Sequence, residues 1–235
     1  MLNVLQANRD FNDEIIKYQR IDSVLAVVLF VAMCLLYGLI AMLESNYSII
    51  KENSILFGSG LNLLMIFMTI LFLKIRKQSM SSIGIGNGNW KQSCLIGIVI
   101  ATFLFYSNCL SHVLDGSNLV AVSEIVKFVI YYFTVALCEE IVFRGYISTR
   151  LYGIIKNQYL VIVISGLLFI IMHFPYRMIA YGMTISGLTI YNMGWILDLF
   201  ITHTVLSFIY LKTNSLYGSI ISHWMSSLAY NLIVR

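Results

Sequence analysis

The chain has 235 residues, 59% of them hydrophobic and 11% charged, with a mean hydropathy of +0.84 and a formal charge of +4. Water cannot solvate so apolar a surface, and apolar runs of about 18 residues or more recur along the whole length, which excludes a soluble globular domain and reads as one polytopic α-helical membrane domain over residues 1–235. The basic residues sit singly or in small groups at the ends of those runs, so they mark membrane topology and exclude nucleic acid as a partner.

Residues 1–22 are polar and mixed in charge, and the run that follows has no small-residue cleavage pattern, so it reads as an anchor rather than a signal peptide. Spans are expected at residues 23–43 and 55–75, joined by a short polar loop, 44–53. A Gly- and Ser-rich loop over 79–89 leads to the interfacial pair Trp90-Lys91 and a third span, 94–113. His112, at its end, needs no functional explanation. The fourth helix starts near Ser123-Glu124, read as N-cap and first-turn acid, and continues to Leu151. That is about 28 residues, or roughly 42 Å, longer than the hydrocarbon core. Further spans follow at 159–174, 193–211 and 216–234, and the mixed stretch 176–192 is interfacial or holds a short or re-entrant eighth helix. The fold class is therefore an all-α transmembrane bundle of about seven to eight helices whose environment is the lipid bilayer. Cys34, Cys94, Cys109 and Cys138 lack metal or disulfide spacing and read as small core residues.

Basic residues alternate between successive connections. Arg9, Lys17 and Arg20 precede the first span, Lys74, Arg76, Lys77 and Lys91 separate the second from the third, Arg150 and Lys156 follow the fourth, and Lys212 follows the sixth. The intervening connections hold Lys51, none, and Arg177, with Lys127 mildly against the pattern. This places the N-terminus in the cytoplasm. The Ile-, Asn- and Lys-rich composition suggests a bacterial cell membrane.

The costly stretch is Cys138-Glu139-Glu140-Ile141-Val142-Phe143-Arg144-Gly145-Tyr146. An ionisable side chain near the bilayer centre costs roughly 2.5–3.5 kcal/mol even on lenient insertion scales, so these charges imply partners, water or chemistry. Glu140 and Arg144, four apart, share a face and pair. Glu139 lies about 100° away around the helix and is left for a water or another helix. The competing reading is a helix end at the membrane surface. His173 and His223 are further ionisable residues in later spans, and helical rise puts Glu139, His173 and His223 about 16, 22 and 12 Å from the cytoplasmic ends of their helices. They can meet in the cytoplasmic-to-middle part of the membrane. Glutamate and histidine without a Ser or Cys nucleophile point to activated water, with Glu139 as base, His173 holding the same water and His223 donating to an oxyanion. Two histidines and a carboxylate are also zinc ligands, although no HExxH spacing is present. Asp198 and His203, five apart and on different faces, are candidates for substrate contact or structure. The aromatic groups 103–106 and 131–133 read as packing or interfacial belt.

These residues carry a resemblance. Glu139-Glu140-x-x-Phe143-Arg144-Gly145 resembles the EExxFRG motif of the CPBP family of intramembrane glutamic proteases, which contains CAAX prenyl endopeptidases and bacteriocin-processing or self-immunity (Abi-type) proteins. Phe169-x-x-x-His173 is similar to its FxxxH motif, and residues 213–223, ending at His223, resemble its closing helix. The match spans 123–231, read as the catalytic core. It implies catalysis by Glu139, His173, His223 and the residue four beyond it, supported by Glu140, Arg144 and Phe169, with no metal and no cofactor. Two positions depart from the pattern. Ser227 stands where the family has Asn, with Asn231 one turn on, and His203 stands where a small residue is typical.

The expected function is an endopeptidase acting on a membrane-associated peptide or protein, by CAAX-like C-terminal processing or by leader removal from bacteriocins or peptide pheromones. The alternative is a non-catalytic protein of the same fold, an immunity factor or a partner of a transporter or sensor kinase. A transporter is disfavoured by the absence of repeats.

Overall fold

The computed structural model describes residues 7–86, 89–114, 116 and 120–232, with the side chains of 107–113 excepted. The readings of Cys109 and His112, and most of the 114–118 loop, lie outside the described residues. Of the described residues 83% are helical, and no strand occurs among them. The polar N-terminal stretch folds into a short helix, α1 (Arg9–Ile15), capped by the Asn8 side chain. Phe11 of α1 is buried edge-on against Tyr152 and Tyr210, at 5.9 and 5.6 Å between ring centres, which docks this segment on the bundle.

Long helices follow in the expected order. They are α2 (Arg20–Asn46), α4 (Ser54–Ile75) after the one-turn α3 (Ser48–Glu52), and α5 (Trp90–Leu114) after a 3₁₀ turn at Met80–Ile83. Next come α6 (Val122–Glu139), a π-helical stretch Glu140–Ser148 and the closing turn α7 (Thr149–Leu151). The chain ends with α8 (Gln158–Met172), α9 (Phe174–Ala180), α10 (Ile185–Ile190), α11 (Met193–Thr213) and α12 (Tyr217–Asn231). Among the described residues, Arg20–Asn46, Ser54–Ile75, Gln158–Ala180 and Met193–Thr213 are long and apolar enough to cross a membrane. The protein is an integral membrane protein. Helix α10, about 9 Å long at helical rise, is too short to be an eighth crossing.

Two boundaries differ from expectation. The fourth helix is preceded by Ala121, which offers no side-chain cap, and Ser123 lies inside it, while Glu124 remains a first-turn acid and pairs with Lys127 at 2.7 Å. That pair explains a lysine on the sparsely charged side. The fifth span breaks at His173 and resumes with Pro175 in the first turn of α9, where the missing N–H costs nothing.

Helix α6 and its π extension run through the centre of the bundle, from Ala136 to Leu151 mostly buried. One end is tied by Arg150, read from the sequence as a topology marker and here fully buried. Its guanidinium donates to the Ser82 carbonyl and hydroxyl (3.0 and 2.7 Å), to Gly145 O (3.1 Å) and to Gln78 (2.9 Å), and lies over the rings of Tyr18 and Tyr146 at 4.4 and 4.7 Å. Nearby, Asp22 is buried and accepts from Arg76 and Gln78 at 2.8 and 3.0 Å. A flanking basic residue scores the same in a charge count whether it is solvated or folded under, which is why counting alone missed Arg150.

Helices α5 and α12 meet backbone to backbone. A Cβ on Gly97 would lie 2.5 Å from Gly218 O, and one on Gly218 would lie 2.2 Å from Ser93 O. Ser93 Oγ accepts from the Gly218 N–H (2.9 Å) and donates to Ser215 O (3.0 Å). In lipid, where apolar burial does not drive helix association, small residues of this kind permit the close contact.

Candidate active site

The motif stretch changes helix type at the point where the charges fall. From Glu140 to Ser148 the helix is π-helical, the wide-turn form that clusters at functional sites. Glu139, just before this stretch, and Glu140 and Arg144 within it all lie inside the bundle, at 6%, 0% and 0% exposure. This rules out the reading of the charges as a helix end at the membrane surface.

Glu140 accepts from Arg144 Nη1 at 2.8 Å through Oε1, the expected ion pair. The same oxygen lies 2.8 Å from His223 Nδ1. A carboxylate can only accept, so His223 Nδ1 carries a proton there and Nε2 is turned toward Glu139, 3.7 Å from Oε2. His173 is held the same way. Its Nδ1 donates to Phe169 O at 2.8 Å, and its Nε2 stands 3.9 Å from Glu139 Oε1. Both imidazoles present Nε2 to one carboxylate, at separations that one water molecule spans by hydrogen bonds to each side. The break between α8 and α9 places His173, and the contact of α5 with α12 sets His223.

Phe169 is the packing hub behind this cluster. Its ring lies edge-on to Phe143 (5.1 Å) and His173 (5.0 Å), and the Arg144 guanidinium stands 4.7 Å from its centre. Arg144 thus pairs with a carboxylate on one side and a π face on the other, which offsets part of its desolvation. On the far side of Phe169, His203 is fully buried, 5.4 Å away ring to ring, and shares a hydrogen bond with Ser165 at 3.0 Å. Gly166 leaves room for it, since a Cβ there would lie 3.3 Å from the His203 ring. That accommodates a histidine where a small residue was expected. Asp198 is exposed, and neither it nor His203 lines the cavity, so they are not placed for substrate contact.

Ser227 is one turn beyond His223, and Asn231 Nδ2 donates to the Ser227 carbonyl at 2.8 Å. Among the described residues no hydrogen bond joins Ser227 Oγ or the Asn231 amide to Glu139, Glu140 or His223. The four central residues Glu139, Glu140, His173 and His223 are brought together with Arg144 and Phe169; Ser227 and Asn231 stand off along α12.

A cavity of about 270 Å³ reaches the cluster, with Glu139 and His173 in its wall. The rest of its lining comes from the end of α2 (Glu44), the start of α4 (Ser54), the first half of α6 (Tyr131, Tyr132) and α9 (Arg177). This is the end of the bundle away from the Arg150 knot, whereas the depth estimate put the site on the Arg150 side. Helical rise locates a Cα along its helix and says nothing of which end is closed, and here buried hydrogen bonds close the Arg150 end. Tyr131 and Tyr132, read as packing or belt, also line the cavity, while Phe133 packs edge-on against Trp224 at 5.3 Å. Phe103 and Tyr106 are exposed, as a belt requires. Arg177, which lines the cavity, was not singled out from sequence as a site residue, although its i,i+4 spacing from His173 already placed the two on one face.

An all-helical membrane bundle with a buried carboxylate between two oriented imidazoles and a cavity leading to them is the architecture of an intramembrane hydrolase. Residues 121–229 match the family model of type II CAAX prenyl endopeptidases, Rce1-like, in agreement with the CPBP resemblance of the three motifs. The matched segment contains every one of the paired site residues, and the match supports a membrane protease of the CAAX type in general. No curated protein and no solved structure gives a match.

Proposed function

We propose that the protein is an intramembrane glutamic endopeptidase that hydrolyses a peptide bond in a membrane-associated peptide or protein. The observation that carries this reading is the pair of Nε2 atoms facing the Glu139 carboxylate at 3.7 and 3.9 Å, each ring fixed by an Nδ1 bond behind it. A water held by Glu139 and His173 loses a proton to Glu139 as it attacks the scissile carbonyl. His223, when its Nε2 carries a proton, donates to the oxyanion, and Glu140 holds the ring for that role. Arg144 pairs with Glu140 at 2.8 Å and holds it in place. Ser227 and Asn231, standing away from the cluster, contribute less than the family's Asn, and the donor role falls on His223.

The test is cleavage by purified full-length protein in proteoliposomes, using a farnesylated peptide that ends in two aliphatic residues and a variable one. Release of the C-terminal fragment should survive strong chelators, and elemental analysis should show no stoichiometric zinc. Chelator-sensitive activity with one tightly held zinc would instead make His173, His223 and Glu139 metal ligands.

We further propose that the N-terminus is cytoplasmic, on the alternation of basic connections. Glu52→Cys and Lys156→Cys, both at exposed positions on opposite ends of the bundle, report on it in a background without the native cysteines. Impermeant thiol reagents should label Glu52→Cys in intact cells and Lys156→Cys only in inverted vesicles. The reverse pattern overturns the orientation. With this topology the cavity mouth, lined by Glu44 and Arg177, faces away from the cytoplasm.

A further inference from the structure

A second and much smaller cavity, of about 20 Å³, lies between the π-helical stretch, α8 and α11. Arg144 and Ser148, four residues apart on the π stretch, line it with Ser165 of α8, Ser207 of α11 and Phe11 of α1. Arg144 Nη1 is committed to Glu140, but Arg144 Nε and Nη2, Ser148 Oγ and Ser207 Oγ have no hydrogen-bond partner among the described residues, although each atom is shielded from solvent. Arg144 is fully buried and Ser207 is 5% exposed. Ser165 is already engaged, since its hydroxyl donates to Ile162 O at 3.2 Å and shares a bond with the His203 ring at 3.0 Å. Nε–H and one N–H of Nη2 run parallel on a guanidinium, so the edge of Arg144 that does not carry Nη1 is a two-pronged donor.

Buried polar groups in a folded chain are almost always paired, so four such atoms around one small space point to something they share. Size and charge decide what it is. One water needs roughly 10–15 Å³ of such space and two to four polar partners, so the cavity has room for one, with the Arg144 fork, Ser148 and Ser207 as its partners. An anion would also suit the fork, but Glu139 and Glu140 already set two buried carboxyl groups against this one guanidinium, and no other cation lines the cavity. A metal cation is repelled by Arg144 and finds no carboxylate in the lining. Water is the neutral occupant that accepts from the fork and donates to both hydroxyls.

We propose that this cavity is a hydration site, in which one buried water bridges Arg144 to Ser148 and Ser207 and makes those two serines positioning residues for the active site. Arg144 is then held on two edges, by Glu140 at Nη1 and by α11 through the water. Glu140 Oε1 receives both Arg144 Nη1 and His223 Nδ1 at 2.8 Å, so it passes that rigidity to the His223 ring. Neither serine nor Arg144 lines the large cavity, and the effect therefore falls on the chemical step rather than on substrate binding. The site stands on geometry, whereas its part in turnover rests on the protease reading.

The test is NMR of the full-length protein in detergent micelles, labelled at arginine Nε and at the histidine ring nitrogens, which needs no turnover. The Arg144 Nε–H signal, assigned by single Arg→Lys variants, should show cross-relaxation to a long-lived water. Ser148→Ala and Ser207→Ala should each weaken that cross peak, and the double variant should abolish it and shift the His223 ring signals. In the cleavage assay each single variant should lower kcat about threefold to tenfold, the worth of one neutral hydrogen bond, with KM changed less than about twofold. Ser207→Thr, which keeps the hydroxyl, should stay closer to the parent than Ser207→Val, which has the same shape without it. Where the double variant does not fold, Ser207→Val takes its place. Absence of a long-lived water at Arg144 in the parent protein, or a cross peak that survives the double variant, overturns the hydration site. A cross peak lost while kcat and the His223 signals stay unmoved overturns the positioning role. If the cross peak and the His223 signals respond as expected but no peptide is cut, the site stands and it is the protease reading that fails.

Discussion

Glu139→Gln is expected to slow peptide cleavage by roughly 10²–10⁴-fold at unchanged protein level, the usual worth of a positioned general base. The substitution keeps the volume of a side chain that is 6% exposed and changes only its ability to take a proton. His173→Ala should be comparably damaging, because its Nε2 shares the water that Glu139 activates. His173→Asn is the useful companion, since its shorter amide can keep a donor at the Nδ1 position near Phe169 O but supplies nothing at the Nε2 position. The measurement is the single-turnover rate of peptide release with matched amounts of protein in the membrane. Full activity of both Glu139→Gln and His173→Ala would sink the glutamate mechanism, and the fold would then act by binding.

Breaking the buried pair should produce the largest loss of stability. Arg144→Met leaves Glu140 buried without its cation, and such single losses cost about 3–5 kcal/mol. Glu140→Gln leaves Arg144 similarly exposed to an apolar surrounding. The double variant, Arg144→Met with Glu140→Gln, should recover most of that stability, because both charges leave together and the desolvation of the pair disappears with them. Activity should not recover with it. His223 loses the carboxylate 2.8 Å from its Nδ1, and with it the orientation of its Nε2. Thermal denaturation in detergent read beside cleavage separates the two effects, and a double variant no more stable than either single one would show that the pair is not the coupled unit described above.

The bundle was legible because membrane helices announce themselves through unbroken apolar length, and the three motifs stood out because charge within such runs is expensive. The pairing of Glu140 with Arg144 followed from i,i+4 spacing and is made at 2.8 Å even though the local helix is π rather than α. The wide turn itself had no sequence signal, because the same residues are acceptable in an α-helix. Arg150 was read as a solvated marker because its neighbours in sequence say nothing of Ser82, Gln78 and Tyr18, which hold it from elsewhere in the chain. The end of the bundle at which the cavity opens was misjudged for a related reason, as closure depends on contacts between segments far apart in sequence. Ser227 was flagged from the pattern alone, and its place one turn past His223, away from the carboxylates, gives that departure a physical meaning.

The Gly97–Gly218 contact bears on portability. Residues 121–229 hold Glu139, Glu140, His173 and His223, yet the depth at which α12 offers His223 is set by α5, which precedes that segment. The recognisable half is therefore no autonomous module. A chimera that grafts it onto a foreign N-terminal half must bring Ser93 and Gly97 with it, or His223 will slide along the helix axis and fall out of register with Glu139.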